Sequence, residues 1–312
     1  DLRVSALLES GAAYLKRQAI DAPRLTAEHL LAAILVCPRL SLFLEGEKVI
    51  SQEQHAHFLN DLTRRGKHEP LQYITGQVEF WGISFIVEKG VFIPRPETEL
   101  IVEAALSLSP SPRRILDLCT GSGALAIALA KVFPEAEVVA SDVSDQALKI
   151  ARINAENNTV ASRITLLKGD LLEPLKRDYF SGMRFDLIVS NPPYVSESDR
   201  ESLPPEVRDY EPEAALFAED QGRAFYRRIL AEAPFFLCEN GVMFLELGYD
   251  QAEWRRGFIE RDINPRDGKS SRNSAKTLDA DFIQDWAGIE RIARIFLHQM
   301  ETTGTRCAGK EG

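Results

Sequence analysis

Residues 115–126 read ILDLCTGSGALA, and the fold turns on how this stretch is parsed. The apolar run Arg114–Leu118 gives way at Cys119–Gly123 to two closely spaced glycines, and a helical pattern starts at Ala124. Glycine suits a chain that must turn sharply from strand into helix, and its missing Cβ lets a ligand approach the backbone. The same grammar continues downstream. Strand candidates at Arg114–Leu118, Glu137–Ser141, Ile164–Lys168, Phe185–Ser190 and Gly241–Leu247 alternate with helical stretches at Ala124–Val132, Ser144–Asn157 and Gly222–Leu237. Continuous apolar strands separated by helices predict a mostly parallel sheet covered on both faces. Right-handed crossovers make it a doubly wound α/β fold, with ligands at the carboxyl ends of its strands. DADFIQDWAGIERIARIFL (279–297) supplies two closing strands, while the polar stretch near 255–278 reads as an exposed loop.

Carboxylates stand at three of those strand ends. Asp117 closes the first strand, Asp142 the second, and Asp170 follows the third. Asp142 lies 19 residues after Gly123, the spacing at which an acid accepts hydrogen bonds from ribose hydroxyls. Gly121 through Ala126 fits the G-x-G-x-x-A dinucleotide fingerprint, which keeps a nicotinamide dehydrogenase in contention. Asp117 leans instead toward S-adenosylmethionine, whose amino-acid end carries an ammonium group and no phosphate.

The fourth strand ends in IVSNPPY (188–194). Prolines cannot donate to a sheet ladder, so Pro192 and Pro193 hold the chain open for another purpose. They fix the Asn191 side-chain oxygen and the Pro192 carbonyl as two directed acceptors, suited to a planar NH2 group on an amide or an adenine. Tyr194 would pack on that guest or face a sulfonium cation. The bland alternative is a proline turn with a capping Asn.

The 312 residues are 45% hydrophobic, enough for one large domain or two modest ones. With 37 Lys+Arg against 47 Asp+Glu the net charge is −10, which argues against a lasting grip on nucleic acid. Four scattered cysteines form no Cys-x-x-Cys pair, and His55, His57 and His68 lack ligand-spaced partners, so neither a disulfide framework nor a metal site is indicated. No signal segment follows Asp1 and no apolar run is long enough to span a membrane, so a soluble, cytoplasmic protein is expected. Up to about Gly76 the pattern is helical. Thr26 is read as a cap for the helix holding Leu30, Leu31, Ile34 and Leu35, and Ser51 with Gln54 as a capping box. Val78–Trp81 and Ile83–Val87, around Gly82, read as a short extended ribbon.

Together, the helical N-terminal segment, FIPRPETE (92–99), DLCTGSG (117–123), Asp142, Asp170, NPPY (191–194) and DWAGIERIAR (285–294) resemble the protein-(glutamine-N5) methyltransferases of the HemK/PrmC type. This family modifies peptide chain release factors. The resemblance covers nearly the whole chain. NPPY alone is shared with DNA adenine methyltransferases, whereas FIPRPETE joined to it is much more specific. It implies a Rossmann-like class I methyltransferase with a small all-α domain at 1–76, a β-ribbon linker at 77–95, a catalytic domain at 96–298 and a loose tail at 299–312.

The implied cofactor is S-adenosyl-L-methionine, with S-adenosyl-L-homocysteine as product. Asp117, Cys119, Thr120, Gly121, Ser122, Gly123 and Asp142 would hold its methionine and ribose parts, Asp170 and Leu171 its adenine, and Asn191 would touch both cofactor and substrate. Asn191, Pro192 and Tyr194 carry the catalytic role, and Pro193, Phe92, Arg95 and Glu97 join them around the substrate. That substrate is the glutamine of the Gly-Gly-Gln loop of class I release factors, methylated on its side-chain nitrogen by a monomer. The rivals are DNA adenine-N6 methylation, hydride transfer and a degenerate cofactor-binding module. One departure from the family pattern is Cys119 where glycine is usual, which implies a small side chain turned away from the ligand.

Overall fold

A computed structural model describes residues 2–177, 180, 182–248, 257 and 278–297. Most of the polar stretch near 255–278 and the whole tail at 299–312 lie outside the described residues.

Five helices open the chain: α1 (Val4–Arg17), α2 (Pro23–Leu35), α3 (Ser41–Leu44), α4 (Gln52–Gly66) and α5 (Leu71–Thr75). They close on a core of their own that includes Leu8, Leu15, Leu30, Leu31 and Phe58. The capping box forms, with Ser51 Oγ accepting from the Gln54 N–H at 3.1 Å and Gln54 Oε1 accepting from the Ser51 N–H at 3.0 Å. Thr26 is not a cap. Pro23 already supplies the preset φ of a first helical position, so α2 begins there and Thr26 is buried inside it.

Strands β1 (Gln77–Phe80) and β2 (Ile83–Ile86) pair antiparallel around a two-residue turn. Trp81 and Gly82 both have positive φ, 54° and 66°, the requirement of a type I′ hairpin. The ribbon is more than a connector. Phe80 and Phe85 meet edge to face, 6.1 Å between ring centres, and enter the core beneath the large sheet.

The remaining elements are α6 (Glu99–Leu106), β3 (Arg114–Leu118), α7 (Ala124–Val132), β4 (Glu137–Asp142), α8 (Asp145–Asn157), β5 (Ile164–Lys168) and β6 (Phe185–Ser190). Three single-turn segments follow, α9 (Pro205–Arg208), α10 (Glu213–Leu216) and α11 (Glu219–Gly222), then α12 (Ala224–Glu232), β7 (Leu237–Glu246), β8 (Leu278–Gln284) and β9 (Glu290–Leu297). The sheet order is β5-β4-β3-β6-β7-β9-β8. Strands β3 to β7 run parallel, and β9 enters antiparallel between β7 and β8. One apolar cluster packs each face of this sheet.

Two boundaries differ from the periodicity reading. The helix expected to reach Leu237 stops at Glu232, because Pro234 has no N–H for a continuing turn and the chain tightens over Ala233–Phe236. Strand β7 therefore starts at Leu237, four residues early, and its register against β6 shifts between Phe185 and Leu187. Gly241 sits at that irregularity, where a Cβ would fall 2.9 Å from the Phe185 carbonyl oxygen.

The helical region meets the rest of the chain through apolar and polar contacts, and Tyr73 of α5 packs with Val87 and Ile93. Arg65 pairs with Glu206 at 2.6 Å, and Tyr210 donates its hydroxyl to the Lys67 carbonyl at 2.7 Å. Asn154 on α8 ties the ribbon to the glycine turn. Its Oδ1 accepts from the Ile86 N–H at 2.7 Å, and its Nδ2 donates to the Ile86 and Ser122 carbonyls at 3.0 and 2.9 Å. Asn154→Ala strands all three backbone groups, so it should lower stability by roughly 2–4 kcal/mol in denaturant titrations. An unchanged midpoint would show that water replaces the side chain freely.

Candidate functional site

The central strands β3 and β6 lie side by side, and the chain leaves them in opposite directions across the sheet. Such a switch point opens a crevice at the strands' carboxyl ends. Ser190 Oγ donates to the Leu118 carbonyl at 2.8 Å, which fastens the end of β6 to the entrance of the glycine turn. A cleft of about 160 Å³ lies beyond, and a slot of about 200 Å³ adjoins it.

The glycine turn forms the floor of the cleft. Cys119, Gly121 and Gly123 all take left-handed backbone, at φ 60°, 56° and 84°. For Cys119 this is strain that glycine would avoid. Cys119 borders the cleft and packs against the apolar cluster on one face of the sheet, where burial pushes the thiol up. A Cβ on Gly121 would meet nothing within 4 Å, so the backbone there is open to a ligand. Gly123 differs: its Cβ would fall 3.1 Å from Ala151 on α8, so this glycine serves helix packing and does not line the cleft.

Asp117 lines the cleft and is fully buried. Its Oδ2 accepts from Thr120 Oγ1 at 2.6 Å and from the Ala126 N–H at 3.1 Å. Its Oδ1 has no partner among the described residues, and neither has the buried Ser122 Oγ nearby on the same wall. Burial pushes the acid up to about 7, against the hydrogen bonds from Thr120 and Ala126 and with help from the charge of Asp142. A buried carboxylate oxygen without a donor calls for a cationic one. The ammonium of an amino-acid group meets that demand, so the cleft fits S-adenosylmethionine.

Asp142 bridges two elements. Its Oδ2 accepts from the Gly121 N–H at 2.8 Å and its Oδ1 from the Ser144 N–H at 2.9 Å, where Ser144 caps α8. Burial raises it as well. Asp170 and Leu171 line the far wall. Asp170 pairs with Arg228 on α12 at 2.6 Å, and the Leu171 carbonyl accepts from Ser141 Oγ at 3.1 Å.

Asn191 and Phe92 line both cavities. Pro192, Tyr194 and Arg95 line the slot, Pro193 faces the cleft, and Glu97 lines neither. The Arg95 guanidinium lies 4.9 Å over the Phe92 ring and pairs with the buried Glu211, which also accepts from the Ile93 N–H at 3.2 Å. Arg95 is therefore a clamp between the FIPRP segment and the chain that follows NPPY.

Sequence reasoning missed Thr98, Glu211 and Glu246. Asn191 Nδ2 donates to Thr98 Oγ1 at 3.1 Å, and Thr98 Oγ1 donates to Glu246 Oε2 at 2.5 Å. Tyr194 OH donates to the other oxygen of Glu246 at 3.5 Å. The signal for Glu246 was its place inside the apolar strand Gly241–Leu247, where an acid needs a reason. Glu211 sits in a loop with no pattern to mark it.

Two family models match the chain, the PrmC N-terminal domain over residues 6–76 and the methyltransferase small domain over residues 83–203. The release factor glutamine methyltransferase of Geobacter sulfurreducens is 44% identical over 248 residues, 80% of this chain and 85% of that protein. Those of Chlorobaculum tepidum and Rhodopirellula baltica are 42% and 40% identical, over 82% and 78% of this chain and 89% and 83% of theirs. In shape, the hMettl16 catalytic domain solved with an RNA hairpin matches with TM-score 0.52 at 17% identity, over 81% of this chain and 84% of that one. That likeness carries the class I methyltransferase fold. With the fold, both family models and these identities in agreement, the chain belongs to the release factor glutamine methyltransferase family.

Proposed function

We propose that this chain transfers a methyl group from S-adenosylmethionine to the side-chain amide nitrogen of the glutamine in the Gly-Gly-Gln loop of class I release factors. The observation that carries the reading is the double exposure of Asn191, which borders both the cleft that fits the cofactor and the slot beside it. The slot is lined mostly by apolar residues, among them Phe92, Pro192, Val195, Leu203 and Leu216, with Tyr194 and with Arg95 held in an ion pair with Glu211. A flat, neutral side chain suits such walls better than a charged one.

An amide nitrogen is a poor nucleophile because its lone pair is delocalised. Bound S-adenosylmethionine supplies an electrophilic methyl group on a sulfonium. The protein's own part is alignment and charge support. Asn191 Oδ1 and the Pro192 carbonyl accept the two amide hydrogens, which aims the nitrogen and stabilises the positive charge that grows on it. No side chain is required to remove the proton, which can leave to water after transfer. Asp117, Ser122 and the open Gly121 backbone hold the amino-acid end of the cofactor, Asp142 its ribose, and Asp170 and Leu171 its base.

Residues 1–76 recognise the substrate, 77–95 join that unit to the catalytic one at 96–298, and the chain acts as a monomer in the cytoplasm. Its acidic charge supports a protein substrate over a DNA one. Among the described residues no helix is long and apolar enough to cross a membrane.

Labelled cofactor offered with a release factor, its Gln→Ala variant and duplex DNA tests the reading. Label should enter the factor alone and vanish with the Gln→Ala change; label in DNA would overturn the choice. Asn191→Ala should keep the fold by circular dichroism and lose roughly 10²–10³-fold in kcat, the usual cost of removing one such hydrogen-bonding group. Cofactor binding should also depend on pH. Burial raises free Asp117 to about 7, and a bound ammonium favours its ionised form, so binding releases a proton below that value. Affinity should rise from pH 6 to 8 in calorimetry, and the dependence should disappear in Asp117→Asn.

A further inference from the structure

Glu246 ends β7 in the middle of the sheet, 2% exposed, and lines neither cavity. A carboxylate in such a place is costly unless its oxygens are occupied. Both are, and by the two segments that meet at the slot. Thr98, from FIPRPETE, donates to one oxygen, and Tyr194, from NPPY, donates to the other. The Tyr226 hydroxyl holds the Glu246 backbone carbonyl at 2.9 Å.

We propose that Glu246 and Thr98 are positioning residues that decide which end of the Asn191 side-chain amide faces the substrate. The inference rests on the amide-methylation reading above. A carboxylate only accepts, so the single hydrogen of the Thr98 hydroxyl is committed to Glu246. The Thr98 oxygen is then left to accept, and the only end of Asn191 that can donate to it is Nδ2. Oδ1 is thereby turned to the other side, where the mechanism needs an acceptor. A reversed amide would set its own NH2 against the NH2 of the glutamine, donor against donor. The relay crosses 148 residues of sequence between Thr98 and Glu246, and it couples the two family-like segments through one acid.

The charge state of Glu246 is part of the device. Burial pushes it up to about 7; Thr98, Arg291 and Tyr194 draw it down, and Glu97 raises it. Those groups come from the turn before α6, from β9 and from NPPY. A protonated Glu246 donates to Thr98, whose own hydrogen is then free to face Asn191 and to favour the reversed amide. Activity should therefore fall as pH drops through about 7, the side on which the raised acid gains its proton.

The test uses the full chain with saturating S-adenosylmethionine and a release factor, and reads kcat, KM for the factor, cofactor affinity and melting temperature. Thr98→Val keeps the shape and removes the relay, so kcat should drop roughly 10–100-fold with cofactor affinity retained. Thr98→Ser restores the hydroxyl and should recover most of that loss. The acid limb of kcat, present in wild type, should flatten in Thr98→Val. Glu246→Gln can still accept from Thr98, so it should fall between wild type and Thr98→Val and also lose the limb. Wild-type kcat in Thr98→Val, a serine variant no better than valine, or an unchanged acid limb in Thr98→Val would each overturn the proposal. Failure of the reading beneath it looks different: wild type would label an acceptor other than glutamine, while the serine–valine contrast would persist on that acceptor.

Discussion

The site depends on one parallel pairing, that of β3 with β6, which matches Leu118 to Ser190. Between these strands the chain first builds β4 and β5 on one side and then crosses back to lay β6 on the other. This order sets the glycine turn and NPPY side by side at the sheet's carboxyl edge. The Ser190 hydroxyl adds a side-chain bond to the Leu118 carbonyl at the end of this pairing. The cofactor's electrophile and the acceptor's nitrogen are chemically independent, yet their two holders are fixed to each other by a ladder of backbone hydrogen bonds.

Around that edge the molecule tolerates acids in its interior. Asp117, Glu211 and Glu246 are each 5% exposed or less. Burial raises the pKa of all three, so each charge is costly where it sits. Each is tied to a segment that must be held still: Asp117 to the glycine turn, Glu211 to FIPRP through Arg95, Glu246 to Thr98 and Tyr194. Interior acids are not confined to the site, since Glu28 and Asp61 are buried among the opening helices, where arginines pair with them.

What the sequence made legible was whatever depends on near neighbours. Alternating apolar runs and helical stretches announced β3 to β6 with almost the observed limits, because strand and helix periods are local properties. The extended ribbon around Gly82 and the capping box were readable for the same reason. The family resemblance added the identity of the substrate, which no periodicity contains. Long-range partnerships stayed hidden. Thr98 reads as one polar residue in a polar segment and Glu246 as an anomaly in a strand; only folding brings them within 2.5 Å. Gly121 and Gly123 look equivalent in sequence, and the distinction between ligand approach and helix packing comes from Ala151, which lies 28 residues beyond Gly123. The early end of α12 had a visible cause in Pro234, outweighed in the reading by the apolar run around it.

The double hold of Asp142 on Gly121 and Ser144 has a consequence for the cost of association. One side chain pins both the turn and the start of α8, so the cleft has its shape before any nucleoside enters. Little backbone entropy is then lost on binding, and the free energy of the contacts is not spent on building their own cradle. The wider fold is arranged as a waiting receptor on the cofactor side, where a small and abundant molecule must be caught repeatedly, turnover after turnover.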